Sequence, residues 1–122
     1  MTTGWTLERA CRAALLERFP PRYGHAVAHH VTLLAGSQGG DRSDPPAPVG
    51  DARIIGRADD GRGVEAMVVE IDGGTGRPDG GTWHVTWSLG EDRKAKESNA
   101  VIAAEGWEPI EPVALALSPA QW

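Results

Sequence analysis

The tetrapeptide His30-Val31-Thr32-Leu33 recurs as His84-Val85-Thr86-Trp87, and each copy lies among β-branched and apolar neighbours. Side chains along a strand alternate between its two faces, so the His and Thr of one copy share a face. If the two strands lie side by side, four side chains converge on one small pocket. That pocket holds two imidazoles, the side chains whose charge changes near neutrality, and two hydroxyls able to grip oxygen atoms. A phosphate group suits it.

Whether the chain can build such a pocket depends first on its size. At 122 residues it falls in the range of one domain with a real core. Its 12 basic and 17 acidic residues give a formal charge of −5, which argues against coating nucleic acid with a broad basic surface. Any nucleic-acid contact is expected to be local, such as a strand end. The one cysteine, Cys11, allows no internal disulfide and fits a reducing cytoplasm. There is no run of 18 apolar residues and no signal-peptide pattern at the N-terminus, so a soluble cytoplasmic monomer without a membrane partner is expected.

Along the chain, Thr6 reads as the cap of a helix with Glu8 in its first turn, and Leu7, Ala10, Cys11, Ala14 and Leu15 form its apolar stripe. This helix ends before Pro20-Pro21. Val27 to Leu34 reads as the strand of the first motif, and Gly36 to Gly50 as a flexible loop. Ala52 to Ala58 and Val64 to Ile71 form a hairpin about Asp59-Asp60-Gly61-Arg62-Gly63, whose residues tolerate positive φ. A Gly-rich turn, Asp72 to Gly81, leads into the second motif strand, Thr82 to Leu89. Ala100 to Glu105 reads as a short helix stopped by Gly106, and Val113 to Leu117 as a last strand flanked by Trp107 and Trp122. The sum is an α+β domain: a mainly antiparallel curved sheet of about five strands, two helices outside it and a central cleft.

Hydrolysis of a phosphodiester without a metal needs one group to take a proton from water and another to give one to the leaving oxygen. His30 and His84 are the candidates for these catalytic roles, and Thr32 and Thr86 for binding the non-bridging oxygens. A 2',3'-cyclic phosphate suits a metal-free pair because its ring is strained and its leaving group stays tethered. Paired His-x-Thr motifs, each followed by an apolar residue, resemble the signature of the two-histidine phosphoesterase superfamily, and both copies match it at every motif position. The resemblance implies two pseudo-symmetric lobes, each giving one motif strand to a central cleft, and activity on 2',3'-cyclic or related RNA phosphodiesters. The motifs stand 54 positions apart (84 minus 30), so such lobes are expected to be pared down. Lys94 to Asn99 is also similar to the matching region of the cyclic phosphodiesterase domain of fungal and plant tRNA ligases, which implies a 2'-phosphate product and a setting in RNA repair.

Several residues carry plainer readings. Lys94, Lys96 and Arg93 are candidate phosphate or nucleotide contacts, although such a charge run also suits a solvated surface. Tyr23 is a candidate to stack on a base, whereas Trp87 is expected to pack and Ser98 and Asn99 to cap the short helix. His25, His29 and His30 lie close in sequence, but neighbours on a strand point opposite ways, so neither a metal site nor a cofactor is expected. Two other function classes fit the same chain. One is a binding module that recognises a phosphorylated nucleotide or RNA end without turning it over, and the other is a protein-interaction domain acting through Gly36 to Gly50.

Overall fold

The computed structural model describes residues 2–34 and 45–122. Its elements run β1 (Thr3–Leu7), α1 (Arg9–Arg18), β2 (His25–Ala26), β3 (His30–Leu34), β4 (Ala52–Asp59), β5 (Val64–Ile71), β6 (His84–Leu89), α2 (Glu97–Glu105), β7 (Glu108–Ala114) and β8 (Leu117–Gln121). The fold is α+β, with one open, curved sheet of eight strands in the order β7-β4-β5-β6-β3-β1-β8 and β2 beside β6. Every strand pair is antiparallel. No helix among the described residues is long and apolar enough to cross a membrane.

The β4–β5 hairpin forms where the sequence places it. Along β4, Ala52 and Ile54 enter one core and, past a register shift between Ile54 and Gly56, Ala58 enters the other. The turn is tied by carboxylates: Asp59 accepts the Gly61 N–H at 2.8 Å, and Asp60 accepts those of Arg62 and Val64 at 2.7 and 3.1 Å. The Arg93 guanidinium closes over Asp60 at 2.9 Å, tying the hairpin to the segment that leads into α2.

Three expectations are corrected. Thr6 and Leu7 belong to β1, not to the first helix, and α1 begins at Arg9 after Glu8. Pairing with β3 on one edge and β8 on the other outweighs the short helical stripe, a case of tertiary context overriding local pattern. The strand expected from Val27 to Leu34 is interrupted. His25 faces Leu89 and Ala26 faces Ser88, yet Val31 faces Val85, so five residues forward on one strand meet three back on the other. The two extra residues loop out around Ala28, which takes the left-handed conformation (φ 41°), and Arg12 from α1 holds the break by donating to the carbonyls of Ala28 and Val27 at 2.9 and 3.1 Å. Finally, the single expected tail strand is two, β7 and β8, so the sheet has eight strands instead of five. Most of the expected loop Gly36 to Gly50 lies outside the described residues. In its last part, the Ala47 carbonyl accepts the Trp5 indole N–H at 2.9 Å.

Each face of the sheet has its own core. On one face Trp5, Leu15, Val31, Met67, Val85 and Trp87 pack together, with Trp5 edge-on to Trp83 at 5.6 Å. On the other, Ala66, Val68 and Leu89 meet Val101 and Ile102 of α2. Trp87 is fully buried, as expected, and its N–H donates to the Phe19 carbonyl at 2.9 Å. Between β3 and β6 the pairing is confined to Val31 and Val85. Each of these is fully buried, a burial that stabilises by about 1.5–3 kcal/mol per side chain.

The β1–β3 contact depends on a missing side chain. Gly4 lies opposite Thr32, and a Cβ there would stand 2.1 Å from the Val31 carbonyl oxygen. Gly4→Ala is expected to force the strands apart and to cost about 1–3 kcal/mol in urea unfolding. An unchanged midpoint would show that β1 can slide without loss.

Candidate active site

The valine pair decides where the motif side chains go. Paired residues in an antiparallel sheet share a face, and Val31 and Val85 both enter the larger core. Parity then puts His30, Thr32, His84 and Thr86 on the opposite face, the one covered by α2. Carried one residue either way, the antiparallel register sets His30 beside Thr86 and Thr32 beside His84. The histidines take one diagonal of a four-cornered site and the threonines the other. All four line a single cavity of about 360 Å³, together with Thr2, Arg77, Ala95, Lys96, Asn99 and Trp122.

The two histidines are unequal. His84 is buried, and its Nδ1 lies 2.8 Å from the Thr82 carbonyl oxygen. A carbonyl only accepts, so Nδ1 carries the proton and Nε2 keeps its lone pair. Burial lowers the basicity of His84, partly offset by this hydrogen bond. The Nδ1 of His30 instead meets the Nδ1 of the exposed His29 at 3.0 Å, and the indole of Trp122 leans on the His30 ring at 4.5 Å between centroids. Burial, followed by the proximity of His29 and of His84, brings the pKa of His30 down to about 4.

The hydroxyls differ as well. Thr86 Oγ1 lies 2.9 Å from the hydroxyl of Ser98 and 3.3 Å from the Ala95 carbonyl. The Thr32 hydroxyl has no hydrogen-bond partner among the described residues and is free to donate into the cavity. Ser98 was expected to cap the short helix, but α2 starts earlier, at Glu97, and Ser98 is a fully buried residue in its first turn. Its bond to Thr86 anchors α2 against β6 and brings Lys96 and Asn99 to the cavity rim.

Arg77 also lines this cavity and is not among the candidates read from the sequence. It sits at the tip of the Gly-rich turn between β5 and β6, where its backbone pairs with Gly81 and Gly80 at 2.9 Å each. Its guanidinium is held by Asp79 at 2.8 Å and by Asn99 Oδ1 at 3.1 Å, and the side chain is only 9 % exposed. The same contact holds the Asp79 carboxyl below its ordinary range. A Cβ on Gly81 would lie 2.9 Å from the guanidinium, so the glycine gives Arg77 room to lie across the turn. The only signal in the sequence was a lone cation in a turn leading into the second motif.

Of the candidate contacts, Lys96 lines the cavity, whereas Tyr23 and Lys94 do not. Tyr23 donates its hydroxyl to Asp59 at 2.6 Å and its N–H to Ser88 at 3.2 Å, which ties it to the β4–β5 turn. Lys94 donates its backbone N–H to Glu97 at 2.6 Å. His25 pairs with Leu89, at the other end of β6 from His84. Among the described residues no three His, Cys, Asp or Glu side chains gather into a group able to hold a metal ion. Comparison of the chain with protein-family models, curated proteins and solved structures finds no match.

The lowered histidine pKa values make a stability prediction. An imidazole that is less basic when folded binds fewer protons in the folded state, so its contribution is complete above the unfolded value of about 6.5 and is lost as pH falls towards about 4. Urea unfolding is expected to show the protein weakening over this window. His30→Gln should remove up to about 3 kcal/mol of that pH-dependent loss. An identical pH slope in the variant would show that His30 is not the group responsible.

Proposed function

We propose that the chain is a phosphodiesterase that opens 2',3'-cyclic phosphates at RNA ends or on nucleotides, using its two histidines as acid and base without a metal. The observation that carries this reading is the convergence of both His-Thr pairs, with Arg77 beside them, on one cavity. His84, with a lone pair on Nε2, takes the proton of the attacking water, and His30 gives a proton to the leaving oxygen. Thr32 and Arg77 hold the non-bridging oxygens, and Thr86 joins them by releasing the Ala95 carbonyl. The resemblance to two-histidine phosphoesterases supports the same reading through the motif residues alone.

The cavity has about twelve times a water molecule's share of liquid volume, more than a phosphate group fills. Trp122, 39 % exposed at its edge, offers an indole face to a base. A formal charge of −5 restricts the contact to a strand end or a free nucleotide instead of a long RNA. The likeness of Lys94 to Asn99 to the tRNA-ligase domain implies a setting in RNA repair and a 2'-phosphate product.

A second reading, a pocket that binds a phosphate ester without turning it over, is favoured by one observation: the pKa of about 4 for His30 leaves it without a stored proton near neutrality. Assays of EDTA-treated protein on nucleoside 2',3'-cyclic monophosphates separate the two. The catalytic reading expects turnover that His30→Ala and His84→Ala each reduce by roughly 100-fold or more. Binding of the nucleotide without turnover would establish the second reading instead. Trp122→Ala is expected to raise KM about tenfold with little change in kcat, the effect of losing a stacking face. An unaltered KM would place the base elsewhere.

A further inference from the structure

The reading just given leaves the acid short of a proton. His84 suits the base role, because burial favours its neutral ring and the Thr82 carbonyl, holding Nδ1–H, places that ring's lone pair on Nε2. The acid role falls to His30, which shares the cavity with two cationic side chains, Arg77 and Lys96, and faces His84 and Trp122 across it. A cation stored on His30 is disfavoured there. Its Nδ1, however, meets the Nδ1 of a second imidazole at 3.0 Å, and that second imidazole, His29, is exposed. Two nitrogens at this distance share one proton, and when His29 supplies it, His30 is fixed as the tautomer with its proton on Nε2.

Resting on the phosphodiesterase reading, we infer that His29 is a positioning residue that fixes the tautomer of His30 and lends it a proton at Nδ1 while His30 protonates the leaving oxygen. The step balances. As the water oxygen bonds to phosphorus, its proton passes to Nε2 of His84. The bond from phosphorus to the leaving oxygen breaks, and that oxygen takes the Nε2 proton of His30. The Nδ1 proton of a cationic His29 moves to Nδ1 of His30, so His30 is neutral before and after. His29 ends neutral with its proton on Nε2, and His84 ends as the cation. Release of a proton from His84 to water, and uptake of one at Nε2 of His30 as its Nδ1 proton returns to Nδ1 of His29, reset the site. Trp122 packs edge-on to His29 at 6.0 Å and leans on His30 at 4.5 Å.

The arrangement explains why neighbouring histidines on one strand end can act together. Regular strand geometry would send His29 and His30 to opposite faces. The two residues that loop out around Ala28 end the regular alternation just before His29, and the rings meet.

The test is the dependence on the leaving group in His29→Ala and His29→Asn. The Asn amide can donate to Nδ1 of His30 and fix its tautomer, but it cannot transfer a proton. Both variants are assayed on a nucleoside 2',3'-cyclic monophosphate, whose leaving alkoxide must be protonated, and on a nucleoside p-nitrophenyl phosphate, whose phenolate leaves unaided. The inference expects kcat on the cyclic substrate to fall by roughly 100-fold in both variants with KM within about twofold. The loss on the p-nitrophenyl ester should be much smaller, and added imidazole should restore part of the cyclic activity of His29→Ala. Full cyclic activity in either variant, or equal losses on both esters, would overturn the role of His29 while leaving the phosphodiesterase reading intact. No turnover of either ester by the parent protein would overturn that reading, and this inference with it.

Discussion

The pairing of Val31 with Val85 is the constraint on which the rest of the molecule depends. One position of contact joins β3 to β6, and through it the strands β7, β4, β5 and β6 meet the strands β3, β1 and β8. Burying both valines in the larger core fixes the register, because a slip of one residue would turn every side chain of the motif to the wrong face. The same burial aims four polar side chains at one another. Core and site are two sides of a single register, so the energy that specifies one specifies the other.

Around this pair the backbone has an approximate two-fold relation that exchanges the two motifs, but their surroundings break it. His84 is tied to a backbone carbonyl within its own segment, whereas His30 is tied to a side chain that reaches solvent. Thr86 is bonded to the buried Ser98 of a helix, and Thr32 faces the cavity unpaired among the described residues. A reaction that needs an acid and a base needs this inequality. The backbone supplies matching positions, and the groups around each motif assign them different tasks.

The motif and the hairpin were legible in the sequence because both rest on local pattern. His-x-Thr on a strand follows from alternation, and Asp59 to Gly63 announces a turn through residues that bond their own backbone. What escaped depends on partners distant in the chain. β1 reads as a helix start until β3 and β8 flank it, and Ser98 reads as a cap until Thr86 is beside it. Arg77 gave no periodic signal at all. Its place is set by Asp79, Asn99 and the bare Cα of Gly81, a combination that only the folded turn brings together. Tyr23 stays open between stacking and packing in the sequence for the same reason, since the carboxylate that captures its hydroxyl lies 36 residues away.

The narrow seam has a mechanical side. Strands such as β4 and β5 are laced together along their length, while β3 and β6 meet at one rung before diverging. A sheet gives most readily where it has fewest rungs, and the motif corners stand on opposite sides of this line, which β2 and the hydrogen bonds of Val27 and Ala28 to β6 also tie. A ligand touching Thr32 on one side and Arg77 and His84 on the other would act as a rivet across it, stiffening the line where the sheet has fewest rungs.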